Sequence, residues 1–304
     1  MCGINIIVDK RKDKKEIIKK MNDKIIHRGP DAEGTYIDEY VALGQRRLSI
    51  IDLSDSGTQP IFNEDKSLAV IFNGEIYNHE ELKQEIIKHG KYKHCWKTDH
   101  SDTEVIIHAY EEWGIGFLEK LRGMYAIALY DNFQKKMWLI RDKIGIKPLY
   151  YAEDKGIVTF ASEIKSIVKV YDKKLRINER ALYDYLSFLT TPCEQTLFDG
   201  IKKLRPGTYI CVDENGNIIE KKYYDVLDNT RPDMYSASEN EIREEVLREL
   251  KIAVNYRKES DVPVGVFLSG GIDSSTNAAL FSSNSESNVK TFCVGYPQEM
   301  SSYT

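Results

Sequence analysis

The chain has 304 residues, enough for about two domains. Hydrophobic residues make up 41% and charged residues 30%, a globular composition able to build buried cores. A net charge of -5 argues against a nucleic-acid partner, which selects a basic face, and no apolar run approaches the ~20 residues of a membrane span.

The chain opens "MCGI". Loss of Met1 would leave Cys2 with its thiol beside a free α-amine, and Met1 is expected to be removed. The other cysteines, Cys95, Cys193, Cys211 and Cys293, are scattered, the total is odd, and no C-x-x-C pair occurs. That pattern speaks against a disulfide framework or a zinc site and for a reducing cytoplasm. "INIIV" reads as a strand, too short and wrongly flanked for a signal peptide. In "DKRKDKKEIIKKMNDK", Ile17, Ile18, Met21 and Ile25 recur at helical spacing, so the lysines form the solvated side of an amphipathic helix.

Further strands are expected at "LAVIFNG", "MYAIALYD", "KMWLIRD" and "GIVTFAS", rich in β-branched and aromatic residues. "SDTEVIIHAYEEWG" pairs Ser101 with Glu104 as a capping box and stops at Gly114. "NERALYDYLSFLT" reads as a helix capped by Asn178, and "LRPGTYICVDENGNIIEKKYY" as a hairpin turning at Asn215-Gly216. "LDNTRPDMYSASEN" suits a linker. Ser238 and Glu241 then form a second capping box before a long helix. The buried-looking strand "VPVGVFLSGG", the segment "IDSSTNAALF" and the strand "VKTFCVG" follow, a β-loop-α-β pattern that starts a parallel sheet.

Three constellations carry chemistry. In "VFLSGGIDSS", Ser269, Gly270 and Gly271 lie between a strand and a helix opening at Asp273-Ser274-Ser275. Glycines admit a phosphate close to backbone N–H groups, and the helix N-terminus adds positive charge. Asp273 would repel that phosphate unless a cation such as Mg²⁺ lies between them. In "IFNGEIYNH", the Asn73 amide and the Gly74 N–H could form a two-donor oxyanion hole, although Asn-Gly alone is usually a turn. The arginines of "HRGPD" and "RRLSIIDLS" together offer a carboxylate clamp.

The ordered motifs "MCGI", "HRGPD", "RLSIIDLS", "FNGEIYNH", "SDTE", "RDKIGIKPLYY", "FASEIKS" and "SGGIDSS" resemble the glutamine-dependent asparagine synthetase family from residue 1 to about 295. The resemblance implies an α+β N-terminal-nucleophile glutaminase sandwich (αββα), then the start of an α/β parallel-sheet ATP-pyrophosphatase domain. Its core would occupy residues 1–170, the rest of the glutaminase and a linker 171–237, and an incomplete synthetase domain 238–304. Cys2 would be the nucleophile, with Asn73 and Gly74 as the oxyanion hole. Arg47, with Leu48 and Ile51 of the same motif, would bind glutamine through its carboxylate. Glu75 and Asp102 would hold its α-amino group. Leu268 and Val294 would flank the adenine of ATP, Ser269, Gly270, Gly271, Ser274 and Ser275 would take the pyrophosphate, and Asp273 would bind Mg²⁺. An N-terminal amine, with a pKa of about 7.7–8.0, suits the base that a thiol needs.

The resemblance further implies an amidotransferase that adenylates a carboxylate acceptor, by default aspartate, in a homodimer. The family's second pyrophosphate motif and its later lysine do not occur in these 304 residues, so a truncated chain is expected. A relative with another acceptor, such as a sugar acid, and a non-catalytic relative are the alternatives. Cys2, Asn73, Gly74 and Asp102 together argue against the latter.

Overall fold

The chain enters on β1 (Gly3–Val8), turns through α1 (Lys14–Lys24) and returns as β2 (Ala32–Ile37) and β3 (Val41–Arg47). Next come β4 (Ile61–Phe62), β5 (Leu68–Ile76), α2 (His79–His89), α3 (Glu104–Trp113) and α4 (Phe117–Lys120). Strands β6 (Gly123–Asp131), β7 (Lys136–Arg141), β8 (Tyr150–Asp154) and β9 (Ile157–Ala161) lead to α5 (Ile164–Val170) and α6 (Glu179–Phe188). β10 (Ile201–Lys203), β11 (Thr208–Val212) and β12 (Ile218–Lys222) close this part. The computed structural model describes residues 1–10, 13–98, 100–170, 174–283 and 289–295. The chain divides into two units, Met1–Asn229 and Thr230–Thr304.

In the first unit, one six-stranded sheet has the order β10-β8-β9-β1-β3-β2 and the other β12-β11-β7-β6-β5-β4. The pairings are antiparallel, for example β1 with β3 and β5 with β6. Alternation along each strand assigns its side chains to two faces. Ile4 and Ile6 of β1 meet Ile71, Ala126, Ala128 and Phe160 between the sheets. Ile7, pointing the other way, packs with Ile18 and Met21 of α1 and Ile167 of α5. On the second sheet, Val70 and Phe72 pack outward against Leu82, Ile106 and Phe117 of α2–α4. The layers are therefore helix, sheet, sheet, helix. Each fully buried aliphatic side chain contributes roughly 1.5–3 kcal/mol.

Local signals were followed to different degrees. Asn178 caps α6 by accepting from the Ala181 N–H, and the β11–β12 hairpin turns at Asn215-Gly216. α1 buries Ile18 and Met21, but one of its lysines is not on the solvated side: Lys14 is buried. Its Nζ donates to the carbonyls of Asp9 and Glu39, both at 2.7 Å, which satisfies the ammonium without water. Arg11 and Lys12 of the same segment lie outside the described residues. The expected Ser101–Glu104 capping box does not form. Thr103 is the N-cap residue without a side-chain cap bond, and the Glu104 carboxylate accepts from the N–H groups of Lys97 and Thr98. Glu104 is buried and is drawn to the orphan amides of a neighbouring loop.

The second unit contains α7 (Glu239–Tyr256), β13 (Gly265–Phe267), α8 (Ile272–Ser283) and β14 (Lys290–Phe292). The Ser238–Glu241 capping box is complete. β13 and β14 pair in parallel. The strand expected across "VPVGVFLSGG" shrinks to three residues and is not buried; among the described residues it pairs with one neighbour, whereas a parallel strand is usually covered on both sides. Among the described residues, no helix is long and apolar enough to cross a membrane.

Candidate active site

Cys2 lies immediately before β1, beside the end of β3. Its Sγ accepts from the Leu48 N–H at 3.4 Å and lies 3.6 Å from the Leu48 carbonyl. Arg28 Nε donates to the Cys2 carbonyl at 2.9 Å, which fixes the backbone that carries the thiol. Burial pushes the Cys2 thiol pKa up, and Asp102 adds to this; the Leu48 hydrogen bond, the terminal amine and Arg47 oppose it. The thiol therefore needs a base to ionise at neutral pH. The terminal amine, here that of Met1, interacts electrostatically with the thiol. Burial lowers the amine's pKa, and the charges of Arg28 and Lys147 lower it further.

β5 runs to the same end of the sandwich and supplies Asn73, Gly74 and Glu75. Asn73 is 1% exposed, and neither Nδ2 nor Oδ1 has a hydrogen-bond partner. A side chain at position 74 has no room: its Cβ would lie 2.1 Å from the Met124 carbonyl and 2.7 Å from Tyr125 Cα. Asp102 is buried, and its Oδ2 accepts from the Ile76 N–H at 3.0 Å, tying the start of α3 to the end of β5.

Arg47 is buried at the end of β3 and organises the loop that follows. Nη1 donates to the Ser54 carbonyl at 2.7 Å, and Nη2 donates to the Asp52 carbonyl. Asp52 turns through φ +54, and its carboxylate accepts from the Ser54 N–H at 3.1 Å. The guanidinium has five donors, so two bonds leave capacity for a carboxylate. Leu48 and Ile51 lie half-buried in this loop.

The other arginines of the expected clamp are committed elsewhere. Arg46 pairs with Glu33 at 3.0 Å and Asp23 at 3.4 Å. Arg28 pairs with Glu163 at 3.1 Å, and His27 Nε2 meets the same carboxylate oxygen at 2.8 Å. "HRGPD" and "FASEIKS" thus form a buttress beneath the start of β1, and Arg47 remains the candidate for a substrate carboxylate.

Lys147, from "RDKIGIKPLYY", was not foreseen as a site residue. It is 4% exposed and its Nζ lies 3.1 Å from Met1 Sδ. Burial lowers its pKa, with the negative charges of Glu75 and Cys2 acting against this and that of Arg28 with it. Asp142 shapes the turn that delivers it, accepting from the N–H groups of Ile146 and Lys147 at 2.8 Å. A lone lysine among Ile144, Ile146, Pro148 and Leu149 was the available signal.

In the second unit, Leu268 donates its N–H to the Phe292 carbonyl at 2.8 Å, ending the parallel pair next to the glycine loop. Gly270 has φ +83, a conformation that favours glycine, and nothing lies within 4 Å of where its Cβ would be. Ser269 and Ser274 hydroxyls lie 3.0 Å apart, and the Ser275 N–H donates to the Gly271 carbonyl at 3.0 Å as α8 begins. Asp273 is exposed in the first turn of α8, and Val294 is exposed beyond β14. Open space over a glycine loop at a helix N-terminus fits a phosphate, and the free-standing carboxylate fits a cation beside it.

Residues 1–224 match the family of the glutamine amidotransferase domain, and residues 245–303 match asparagine synthase. The asparagine synthetase (glutamine-hydrolyzing) 1 of Bacillus subtilis is 40% identical over 304 residues, covering 98% of this chain and 46% of that protein. The putative asparagine synthetase (glutamine-hydrolyzing) 2 of Methanocaldococcus jannaschii is 36% identical, covering 97% and 60%. The chain spans about half the length of these relatives. A solved structure described as the allosteric regulatory enzyme of purine biosynthesis superposes with a TM-score of 0.56. It covers 99% of this chain and 70% of that one at 16% identity, a likeness of fold. The glutamine phosphoribosylpyrophosphate amidotransferase of B. subtilis gives a TM-score of 0.54.

Proposed function

We propose a glutamine-hydrolysing function on one premise: the chain belongs to the glutamine amidotransferase domain family. The observation that carries the proposal is the Asn73 carboxamide, buried beside Gly74 with both polar atoms unpartnered. An orphaned buried amide costs about 1–3 kcal/mol, so its retention implies a ligand that satisfies it.

With Met1 removed, the α-amine of Cys2 takes the Sγ proton as sulfur attacks the side-chain amide carbon of glutamine. Negative charge develops on the amide oxygen, where the Asn73 Nδ2 and the Gly74 N–H stabilise it. The same amine returns the proton to the leaving nitrogen, ammonia departs, and water cleaves the thioester to glutamate. Arg47, steadied by the loop of Leu48 and Ile51, holds the glutamine carboxylate, while Glu75 and Asp102 hold its ammonium group.

In the whole protein, the ammonia amidates a carboxylate that ATP activates, aspartate being the acceptor suggested by the names of the relatives. Leu268 and Val294 would flank the adenine, residues 269–275 would cradle the phosphates, and Asp273 would hold Mg²⁺, which would offset the phosphate charge. A cytoplasmic setting suits a catalytic thiol, and fractionation of cells checks it.

The test measures ammonia and glutamate released from glutamine by the 304-residue chain and by Cys2→Ala. Release by the former and loss of several orders of magnitude in the latter, with unchanged circular dichroism, is the expected result. Undiminished release by Cys2→Ala would remove the thiol from the reaction.

A further inference from the structure

Away from Cys2, a second group of ligating side chains gathers on the C-terminal half of α3. His108 and Glu111 share one face of that helix. His94 comes from the loop after α2, and Glu64 from the turn between β4 and β5. One donor atom from each lies within 4.8 Å of all the others. Glu111 Oε2 stands between two imidazoles, 2.8 Å from His108 Nδ1 and 3.2 Å from His94 Nδ1.

We propose that His94, His108, Glu111 and Glu64 bind one divalent cation of the Zn²⁺ type. The donor set is two imidazoles and two carboxylates, which suits borderline first-row metals. A tetrahedral Zn²⁺ with bonds of about 2.0–2.1 Å sets its donors ~3.3 Å apart, so the donors at 2.8 and 3.2 Å would spread slightly to admit the ion.

Hydrogen bonding fixes which nitrogen is available. His94 Nε2 lies 2.8 Å from Glu112 Oε1, and that side chain is 1% exposed. Nε2 is therefore the protonated nitrogen, and the Nδ1 of a neutral ring turns its lone pair toward Glu111 Oε2. Two lone pairs facing each other repel unless a second ring proton or a metal cation lies between them, and the divalent ion also offsets the surrounding carboxylates. The arrangement of carboxylate, histidine and central point is that of a metal ligand with its outer partner. Glu112 is itself anchored, accepting from the N–H groups of Lys91 at 2.7 Å and Tyr92 at 2.9 Å. His108 is 1% exposed; its Nδ1 faces Glu111, while its Nε2, whose lone pair points away from that oxygen, has no hydrogen-bond partner. Glu104 adds a fourth carboxylate, 3.7 Å from that nitrogen. Four carboxylates around two histidines leave negative charge even if both rings are protonated, and a divalent ion offsets it. A pocket of about 500 Å³ lined in part by Glu64, His94 and Glu111 gives the ion a way in. All four positions would be filled by protein, so the ion is a staple rather than a reaction centre. It would pin the loop carrying His94 to α3, the helix whose N-terminal end presents Asp102.

The experiment uses the full chain with its cysteines alkylated, and Zn²⁺ and Co²⁺ as probes. Equilibrium dialysis with elemental analysis is expected to give one Zn²⁺ per chain. Co²⁺ should show the visible bands of a tetrahedral site without a thiolate charge-transfer band. Glu112→Gln, which touches only the outer partner, should weaken binding about 10–100-fold. His94→Gln and the exposed Glu64→Gln should weaken it at least as much, with Glu64→Gln deciding if His94→Gln fails to fold. No retained Zn²⁺, or retention unaffected by Glu64→Gln, would overturn the assignment.

Discussion

The Asn73 carboxamide has two unpartnered polar atoms in a site that is 1% exposed. No hydrogen bond of the folded chain is lost on truncation, so truncation should separate activity from stability. Asn73→Ala is expected to lower glutamine turnover roughly 10²–10³-fold, the loss typical of one oxyanion donor. Its melting temperature should not fall, because no protein hydrogen bond is broken. Unchanged turnover would exclude Asn73 from the reaction. Lys147 is the second residue whose role is electrostatic. It and Arg28 both depress the pKa of the Met1 amine, and a positive charge near the Cys2 amine that replaces it after Met1 is lost would act in the same direction. Lys147→Gln removes one cation, so the protonated amine becomes easier to keep and its pKa rises. The acid limb of the pH profile of kcat/KM should then move to higher pH. A limb that stays in place would show that Lys147 does not act on the base. Asn73 was legible in the sequence as Asn-Gly after a strand, but its unpartnered state was not, since that depends on the neighbours left around it. Lys147 was legible only as one lysine in an apolar run, which does not say which charges it will lie among.

Two capping boxes with the same spacing behave differently, and the reason lies in their surroundings. Ser238 and Glu241 open an exposed helix, where nothing competes for the carboxylate, and both reciprocal bonds form. Glu104 opens a buried helix, and the amides of residues 97 and 98 claim it. Local signals are thus readable where tertiary demand is low. The buttress between the segment after α1 and the start of α5 is a tertiary feature with a measurable pH signature. Burial alone would raise the pKa of Glu163; hydrogen bonds from Lys165, His27 and Arg28 instead lower it to about 2. In the unfolded chain a glutamate titrates near 4.3. The folded value is the lower one, so this stabilisation is present above about 4.3 and is lost as pH falls toward 2. Glu163→Gln should therefore be less stable than the parent at pH 7, and the gap in melting temperature should close over that acid window. A gap independent of pH would mean that the carboxylate charge contributes nothing.

At the scale of the whole chain, the three hydrophobic clusters draw all their residues from positions 4 to 223, inside the first unit. The sandwich, Cys2 and every residue proposed to bind glutamine belong to that unit as well. The second unit is built differently. Neither α7 nor α8 has a buried residue. Val246 and Leu247 of α7 are exposed, as are Phe267 of β13 and Phe292 of β14. An apolar side chain left in water forgoes most of the roughly 1.5–3 kcal/mol that burial provides. Segments with few buried apolar contacts open locally at lower free energy and meet proteases first. Limited proteolysis of the 304-residue chain is therefore expected to cut within 230–295 before it cuts within the sandwich. A chain of residues 1–229 should fold alone and hydrolyse glutamine with the kcat of the longer chain. First cleavage inside the sandwich, or a 1–229 chain that aggregates without activity, would show that the second unit supports the first in a way its exposed surface does not reveal.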